Sequence, residues 1–121
     1  MNGSEEKFTN LKVWQKAHSL VLEIYKITAS FPQKEKFILV PQILRAAISV
    51  TANIVEGSRR RSPKDKNHFY SMAYGSLEEL KYYLILIKDL KYIAENQYIE
   101  LREKCREISR MLSALSRSTA L

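Results

Sequence analysis

The sequence has few of the residues from which metal sites and covalent scaffolds are built. It contains one cysteine, two histidines, three glycines and three prolines among 121 residues. A single cysteine, Cys105, cannot form an internal disulfide, and it excludes the zinc and iron–sulfur patterns that need several cysteines. The two histidines, His18 and His68, occur in none of the H-x-x-x-H, H-E-x-x-H or E-x-x-H spacings of metal sites. We therefore expect neither a metal nor another cofactor.

Catalytic and membrane-spanning patterns are also missing. There is no G-x-S-x-G motif, P-loop or G-x-G-x-x-G, and Cys105 occupies a predicted core position, so we expect no catalytic residue and no enzyme activity. The longest uninterrupted apolar run, residues 82–87, is far short of the roughly 20 residues that cross a membrane. The polar, acidic first residues do not resemble a secretion signal. These features predict a soluble cytoplasmic protein that does not contact the membrane.

Apolar residues recur at helical spacing along the whole chain. Ser62, Pro63 and Asp65 form a variant of the capping box and predict a helix start, and Gly57 is predicted to follow the end of the preceding helix. Short connections between strongly amphipathic segments favour one all-α domain over residues 1–121, an antiparallel up-down-up-down four-helix bundle. We predict its helices over residues 10–30, 41–56, 63–91 and 97–117.

The helices are predicted to carry more apolar surface than the core of one chain can bury. Along the fourth helix, a seam at spacings of three and four consists of Tyr98, Leu101, Cys105, Ile108, Leu112 and Leu115. The core stripe of the third helix is predicted to hold Phe69, Met72, Ala73, Ser76, Leu77, Leu80, Tyr83, Leu84, Ile87 and Leu90. The apolar arc of the second helix covers about 200° on a helical wheel. Because this surplus favours self-association, we expect oligomer contacts at three residues outside the stripe, Tyr74, Tyr82 and Ile85.

Positive charge is concentrated in two segments. The chain has a formal net charge of +7 and a pI of about 9.6. Residues 101–117 form one basic segment, and the other, residues 59–66, contains Arg59, Arg60, Arg61, Lys64 and Lys66. Clustered cations are typical of phosphate-binding surfaces, and arginine matches phosphate geometry, so we predict that the second segment binds nucleic acid. The alternative is a loop that only keeps the protein in solution.

A polar strip interrupts the apolar surface of the second helix. It consists of Arg45, Ser49, Asn53 and Glu56, which fall within about 80° on the wheel. One interpretation is an ordinary solvated face. The other is a set of contacts to another helix or to another subunit.

Several residues match a known family. The N-terminal stretch resembles it at Phe8, Leu11, Val13, Trp14, Ala17, Leu20 and Tyr25. The centre resembles it at Gln42-Ile43, Arg45-Ala46-Ala47, Ser49, Asn53-Ile54, Glu56-Gly57, Arg60-Arg61-Ser62, Gly75-Ser76-Leu77 and Glu79-Leu80. On these residues the chain resembles the four-helix-bundle proteins encoded in intervening sequences of bacterial 23S ribosomal RNA genes.

The resemblance implies an antiparallel four-helix bundle, a ring of five subunits and no known catalysis. Accessory proteins of diversity-generating retroelements have a similar fold and are basic pentamers that bind nucleic acid. The chain departs from the family at Thr51, where proline is frequent, and at Lys91, where glycine is common before the last aromatic residue of the third helix. From the residues and the resemblance together we expect a homo-oligomer that binds RNA or DNA. The competing interpretation is a protein-interaction scaffold whose charge only confers solubility.

Overall fold

Four long helices make up most of the described part of the chain. The computed structural model describes residues 8–120. Its helices are α1 (Lys12–Thr28), α2 (Leu39–Arg59), α3 (Pro63–Asp89) and α4 (Glu95–Ala120), with a short 3-10 helix at Gln33–Glu35 between α1 and α2. No strand occurs between residues 8 and 120, and no helix there is long and apolar enough to cross a membrane.

Neighbouring helices run in opposite directions. α2 packs on α3, α3 on α4, and α1 closes the arrangement against both α2 and α4. Contacts between the start of one helix and the later part of its neighbour confirm the predicted antiparallel four-helix bundle. The contacts that establish this are Lys66 Nζ to the Ser58 carbonyl at 3.1 Å, Ser116 Oγ to Asn67 Oδ1 at 2.8 Å and Lys16 Nζ to Glu107 Oε1 at 3.1 Å.

The core confirms the predicted seam of α4 and corrects the stripe of α3. Leu101, Cys105, Ile108 and Leu112 are all completely or almost completely buried. In α3, however, Met72 and Leu90 were expected inside and are 46% and 44% exposed, whereas Tyr70, which the pattern did not select, is only 4% exposed. A helical wheel shows only how residue types are distributed around one helix. It does not show where a neighbouring helix leaves space for an aromatic ring.

Gly57 provides that space and is not a helix terminator. The expected end of the second helix at residue 56 was wrong, because α2 continues to Arg59 and Gly57 lies inside it. The glycine does not have a positive φ. A Cβ atom at this position would overlap the ring of Tyr70 on α3. The absence of a side chain therefore serves close packing between α2 and α3.

Other helix ends were predicted with mixed success. The start of α3 is confirmed, since Ser62 Oγ accepts a hydrogen bond from the Asp65 N–H at 3.0 Å and Pro63 is the first helical residue. The second helix begins at Leu39 rather than at residue 41. At the start of α4, the N–H of Ala94 donates to Gln97 Oε1 at 2.8 Å, so the reach of a glutamine side chain decides where this helix begins.

The end of α3 keeps a glycine-type cap without a glycine. Lys91 has a φ of 65°, in the left-handed region. Its N–H donates to the Lys88 carbonyl and the N–H of Tyr92 donates to the Ile87 carbonyl, both at 2.9 Å. This pair of bonds is the Schellman motif, which usually has glycine at the left-handed position. The departure from the family at Lys91 therefore leaves the cap in place and adds backbone strain.

Replacing that lysine should stabilise the protein. We expect Lys91→Gly to raise the free energy of unfolding by about 1 kcal/mol, because glycine takes the left-handed conformation without the steric cost of a Cβ. As a control, Asp89→Gly in regular helical geometry should lower it by roughly 0.5–1 kcal/mol. Chemical denaturation of the three proteins measures both values. A Lys91→Gly protein no more stable than the wild type would mean that Lys91 is not strained.

Candidate nucleic-acid interface

The predicted basic segment forms the junction between α2 and α3. Arg59 ends α2, Arg60 and Arg61 connect the helices, and Lys64 and Lys66 lie in and just after the first turn of α3. The first four side chains are exposed and that of Lys66 is partly buried. The structure thus brings all five predicted residues to one end of the bundle, next to the positive end of the α3 helix dipole. We call these five residues the basic junction.

Three cations of the junction are free. Arg59, Arg61 and Lys64 are exposed, and within residues 8–120 none of them has a hydrogen-bond, ion-pair or ring partner. Their like charges lie within six residues of sequence and repel one another. An anion that binds between them relieves that repulsion, and the planar guanidinium groups can bind phosphate oxygens through two hydrogen bonds at once.

Arg60 is held in place by two partners. Its Nη2 lies 2.9 Å from Glu56 Oε2, and its guanidinium lies over the ring of Phe69, 4.6 Å from the ring centre. The pair with Glu56 has the i,i+4 spacing of a helix and could have been read from the sequence if the end of α2 had been placed correctly. The contact with Phe69 could not have been read from the sequence, because it depends on the packing of α3 against α2. Arg60 therefore enters any complex with its charge partly neutralised.

Lys66 acts on the end of α2. Its Nζ donates to the carbonyl oxygens of Ser58 at 3.1 Å and Gly57 at 3.4 Å. The last carbonyls of a helix have no partner within it, and a cation there also offsets the negative end of the helix dipole. The structure gives Lys66 a capping role that the sequence did not reveal, because its partners lie across a turn on another helix.

The polar strip of α2 separates into two kinds of residue. In the middle, Ser49 Oγ lies 2.8 Å from Ser76 Oγ of α3, and Asn53 Nδ2 donates to the Ser49 carbonyl at 2.9 Å and to Ser49 Oγ at 3.0 Å. At the ends, Arg45 donates to Gln42 Oε1 at 3.0 Å and Glu56 accepts from Arg60. The middle of the strip therefore joins α2 to α3, while its ends face solvent.

Apolar side chains are exposed away from the junction. Tyr74, Tyr82 and Ile85 lie outside the core of this chain as predicted, and their contacts with other subunits remain a prediction. The sequence pattern missed Phe37 and Ile38 in the connection before α2, which are 81% and 67% exposed. Two adjacent apolar residues in a loop carry no helical periodicity, so nothing in the pattern distinguished them from core residues.

The residues with catalytic or metal-binding potential are dispersed. His18 is exposed and stacks on Trp14, with ring centres 4.9 Å apart, and His68 lies edge-on to Phe69. Burial raises the pKa of the Cys105 thiol to about 12, so this cysteine is uncharged and unreactive at neutral pH. No group of three or more His, Cys, Asp or Glu residues that could hold a metal ion occurs between residues 8 and 120.

The fold and the site define a class of protein, an antiparallel four-helix bundle with an arginine-rich junction at one end. The family model of the 23S rRNA-intervening sequence protein matches residues 9–114. The chain therefore belongs to this family, and the resemblance noted in the sequence is confirmed.

One solved structure has the same fold over nearly the whole chain. It is the crystal structure of a protein with unknown function from the S23 ribosomal protein family of Bacteroides thetaiotaomicron. It has a TM-score of 0.79 and 25% sequence identity, and the match covers 87% of this chain and 95% of that one. No curated protein matches the chain.

The different roles of two lysines in the junction can be tested by stability. We expect Lys66→Ala to lower the free energy of unfolding by about 0.5–1.5 kcal/mol, because the last carbonyls of α2 lose a charged donor. Lys64→Ala removes the same charge only two residues away and should change it by less than about 0.5 kcal/mol. Urea denaturation at neutral pH measures the difference. Equal effects of the two substitutions would contradict the capping role of Lys66.

Proposed function

We propose that this protein is not an enzyme and that it binds nucleic acid, RNA first of all, through the basic junction. The observation that carries the proposal is the set of exposed, unpaired cations Arg59, Arg61 and Lys64 within one short segment. Exposed like charges held together oppose the folded state, so solubility alone would be served equally well by charges spread over the surface. A phosphate backbone supplies the missing counter-charge and releases its own counterions on binding.

RNA is the favoured ligand because of the family to which the chain belongs. The family is named for sequences that intervene in 23S rRNA, and the matched structure is described as a member of a ribosomal protein family. Both descriptions refer to an RNA context, which supports testing RNA before DNA. The single cysteine is compatible with a reducing cytoplasm, which we propose as the compartment.

We further propose that the protein works as a homo-oligomer, with five subunits favoured by the family resemblance. Eleven large apolar side chains are more than 40% exposed between residues 8 and 120, which is a large apolar surface for a chain of 14.1 kDa. None of the eleven lies in the junction, so assembly can cover them without covering the cations. A cyclic oligomer would present every junction on one face of the ring, and avidity would then raise the affinity for a polymer.

A protein-interaction scaffold is the second candidate. The exposure of Phe37 and Ile38 favours it, since a loop with two exposed apolar residues is a suitable anchor for a protein partner. In this case the basic junction would only serve solubility.

The binding proposal predicts a specific salt dependence. We expect wild-type protein to bind an unstructured RNA oligonucleotide with a log affinity that falls linearly with log salt concentration. Replacing Arg59, Arg61 and Lys64 with alanine should weaken binding regardless of sequence, and the slope should fall by about 0.7 for each phosphate that the protein no longer neutralises. Fluorescence anisotropy at several salt concentrations measures affinity and slope together.

A matched variant distinguishes the loss of a binding site from a general loss of positive charge. Lys26→Ala/Lys34→Ala/Lys36→Ala removes three exposed lysines near the opposite end of the bundle, and none of them has a carboxylate partner within the described residues. This variant should bind RNA almost as the wild type does at 0.15 M salt, where charges about 8 Å apart or more are screened. If the wild-type protein does not bind RNA at low salt, the proposal is wrong and the protein-interaction scaffold becomes the better candidate.

The assembly proposal predicts the mass in solution. Light scattering at micromolar concentration should give several times the 14.1 kDa of one chain, and five times if the ring has five subunits. Tyr82→Glu/Ile85→Glu should reduce that mass, because charge introduced into an apolar contact opposes association. Lys64→Glu, in the junction, should leave it unchanged. A wild-type monomer throughout this concentration range would contradict the proposal.

A further inference from the structure

Positive charge covers a larger part of one end of the bundle than the basic junction alone. Because the helices are antiparallel, the start of α1, the end of α2, the start of α3 and the end of α4 share one end, the basic end. Within residues 8–120, this end has eight cations and only two carboxylates, Glu56 and Asp65. The rest of the described chain has eleven cations and nine carboxylates. The cations of the basic end are Lys12, Arg59, Arg60, Arg61, Lys64, Lys66, Arg110 and Arg117.

The pairing of these charges follows the same division. In the rest of the described chain, six of the eleven cations form an ion pair, such as Lys104 with Glu23 and Arg106 with Glu103. At the basic end only Arg60 has a carboxylate partner within residues 8–120, and Lys66 is bound to the carbonyls of α2. Six cations are left unpaired there, and they come from all four helices and one connection: Lys12, Arg59, Arg61, Lys64, Arg110 and Arg117.

We infer that the phosphate-binding surface is the whole basic end, so that Lys12 of α1 and Arg110 and Arg117 of α4 bind the same nucleic-acid backbone as the junction. The inference rests on the proposed function and enlarges its site. Arg117 belongs to this end because Ser116, next to it, is hydrogen-bonded to Asn67 near the start of α3 at 2.8 Å. Arg110 lies two turns earlier on the same face of α4 and extends the surface along the side of the bundle. Lys12 belongs to this end as the first residue of α1.

The dimensions of this surface select a polymeric ligand. α1 and α3 lie diagonally in the bundle, so Lys12 and Lys64 are on helix axes about 11–14 Å apart, given spacings of about 8–10 Å between neighbouring axes. Arg110 and Arg117 are seven residues apart on α4, about 10 Å along the helix. One phosphate group cannot reach across these distances. A nucleic-acid strand that crosses the end of the bundle can reach several of the cations at once.

The basic end is poor in exposed apolar groups. Within residues 8–12, 56–67 and 110–119, no large apolar side chain is exposed. One face of the nearby Phe69 ring is covered by the Arg60 guanidinium. These ranges therefore present no apolar group that could insert into a lipid bilayer. The cations of the basic end contact phosphates, which carry no sequence information, so the enlarged site should bind RNA of different sequences equally well.

The test compares two pairs of cations on α4. Arg110→Ala/Arg117→Ala removes two unpaired cations of the basic end, and Lys104→Ala/Arg106→Ala removes two paired cations from the middle of the same helix. Binding of a 16-nucleotide mixed-sequence RNA is followed by fluorescence anisotropy at several salt concentrations around 0.15 M. We expect the first variant to bind about tenfold more weakly with a flatter salt slope, and the second to stay within about twofold of the wild type because of screening. Circular dichroism and light scattering of each variant check folding and assembly.

The possible results separate this inference from the proposed function. If the wild type does not bind RNA, the proposed function itself fails. A second result is that the wild type binds, the Arg59/Arg61/Lys64 variant binds more weakly, and Arg110→Ala/Arg117→Ala keeps the wild-type affinity and salt slope. The site would then be confined to the junction, and the inference would be wrong. Equal weakening of both α4 variants would attribute the effect to net charge and also overturn it. Equal binding of phosphatidylserine vesicles through the same residues would assign the surface to membranes instead.

Discussion

The burial of one continuous apolar seam between antiparallel helices is the constraint on which the other features depend. Side chains such as Ile24, Ile54, Leu80 and Leu112 are almost fully removed from water, and the short connections make neighbouring helices alternate in direction around this core. The same alternation determines which helix ends meet. Cations that are far apart in the sequence, on α1 and on α4, are thereby placed beside the α2–α3 junction.

The close packing of α2 and α3 fixes the geometry of that junction. Gly57 lets the ring of Tyr70 approach the backbone of α2, and Lys66 of α3 binds the last carbonyls of the same helix. Together these contacts hold the end of α2 and the start of α3 in one place. Arg59, Arg61 and Lys64 then project from helix ends that are packed on each other. Packed helix ends lose less conformational entropy than a free loop when a ligand binds.

The sequence predicts the bundle well because its main signal is periodic. Helix type, number and order follow from apolar spacing, and the start of α3 follows from the local chemistry of Ser62 and Pro63. The errors at Tyr70 and Gly57 have a common cause, since each involves a partner on another element. Tyr70 is buried because Gly57 makes room for it, and α2 continues beyond Gly57 because that glycine serves packing. The five residues of the basic junction could be found from local composition, but which of them are free could not. The pair of Arg60 with Glu56 follows from i,i+4 spacing, whereas the contact of Arg60 with Phe69 and the carbonyl partners of Lys66 follow only from the tertiary structure.

The central claim is that nucleic acid binds the basic end and leaves the rest of the surface open, and lysine footprinting tests it most directly. The protein is treated with an amine-acetylating reagent with and without a saturating RNA oligonucleotide, and the rate at each lysine is measured by mass spectrometry. Lys12 and Lys64, at the basic end, and Lys26, Lys34 and Lys91, near the opposite end, are all exposed. None of the five has a carboxylate partner within the described residues, so they form an internal comparison. The account predicts that RNA slows acetylation of Lys12 and Lys64 and leaves the other three rates unchanged. Uniform protection of all five lysines, or protection at the opposite end alone, would contradict it.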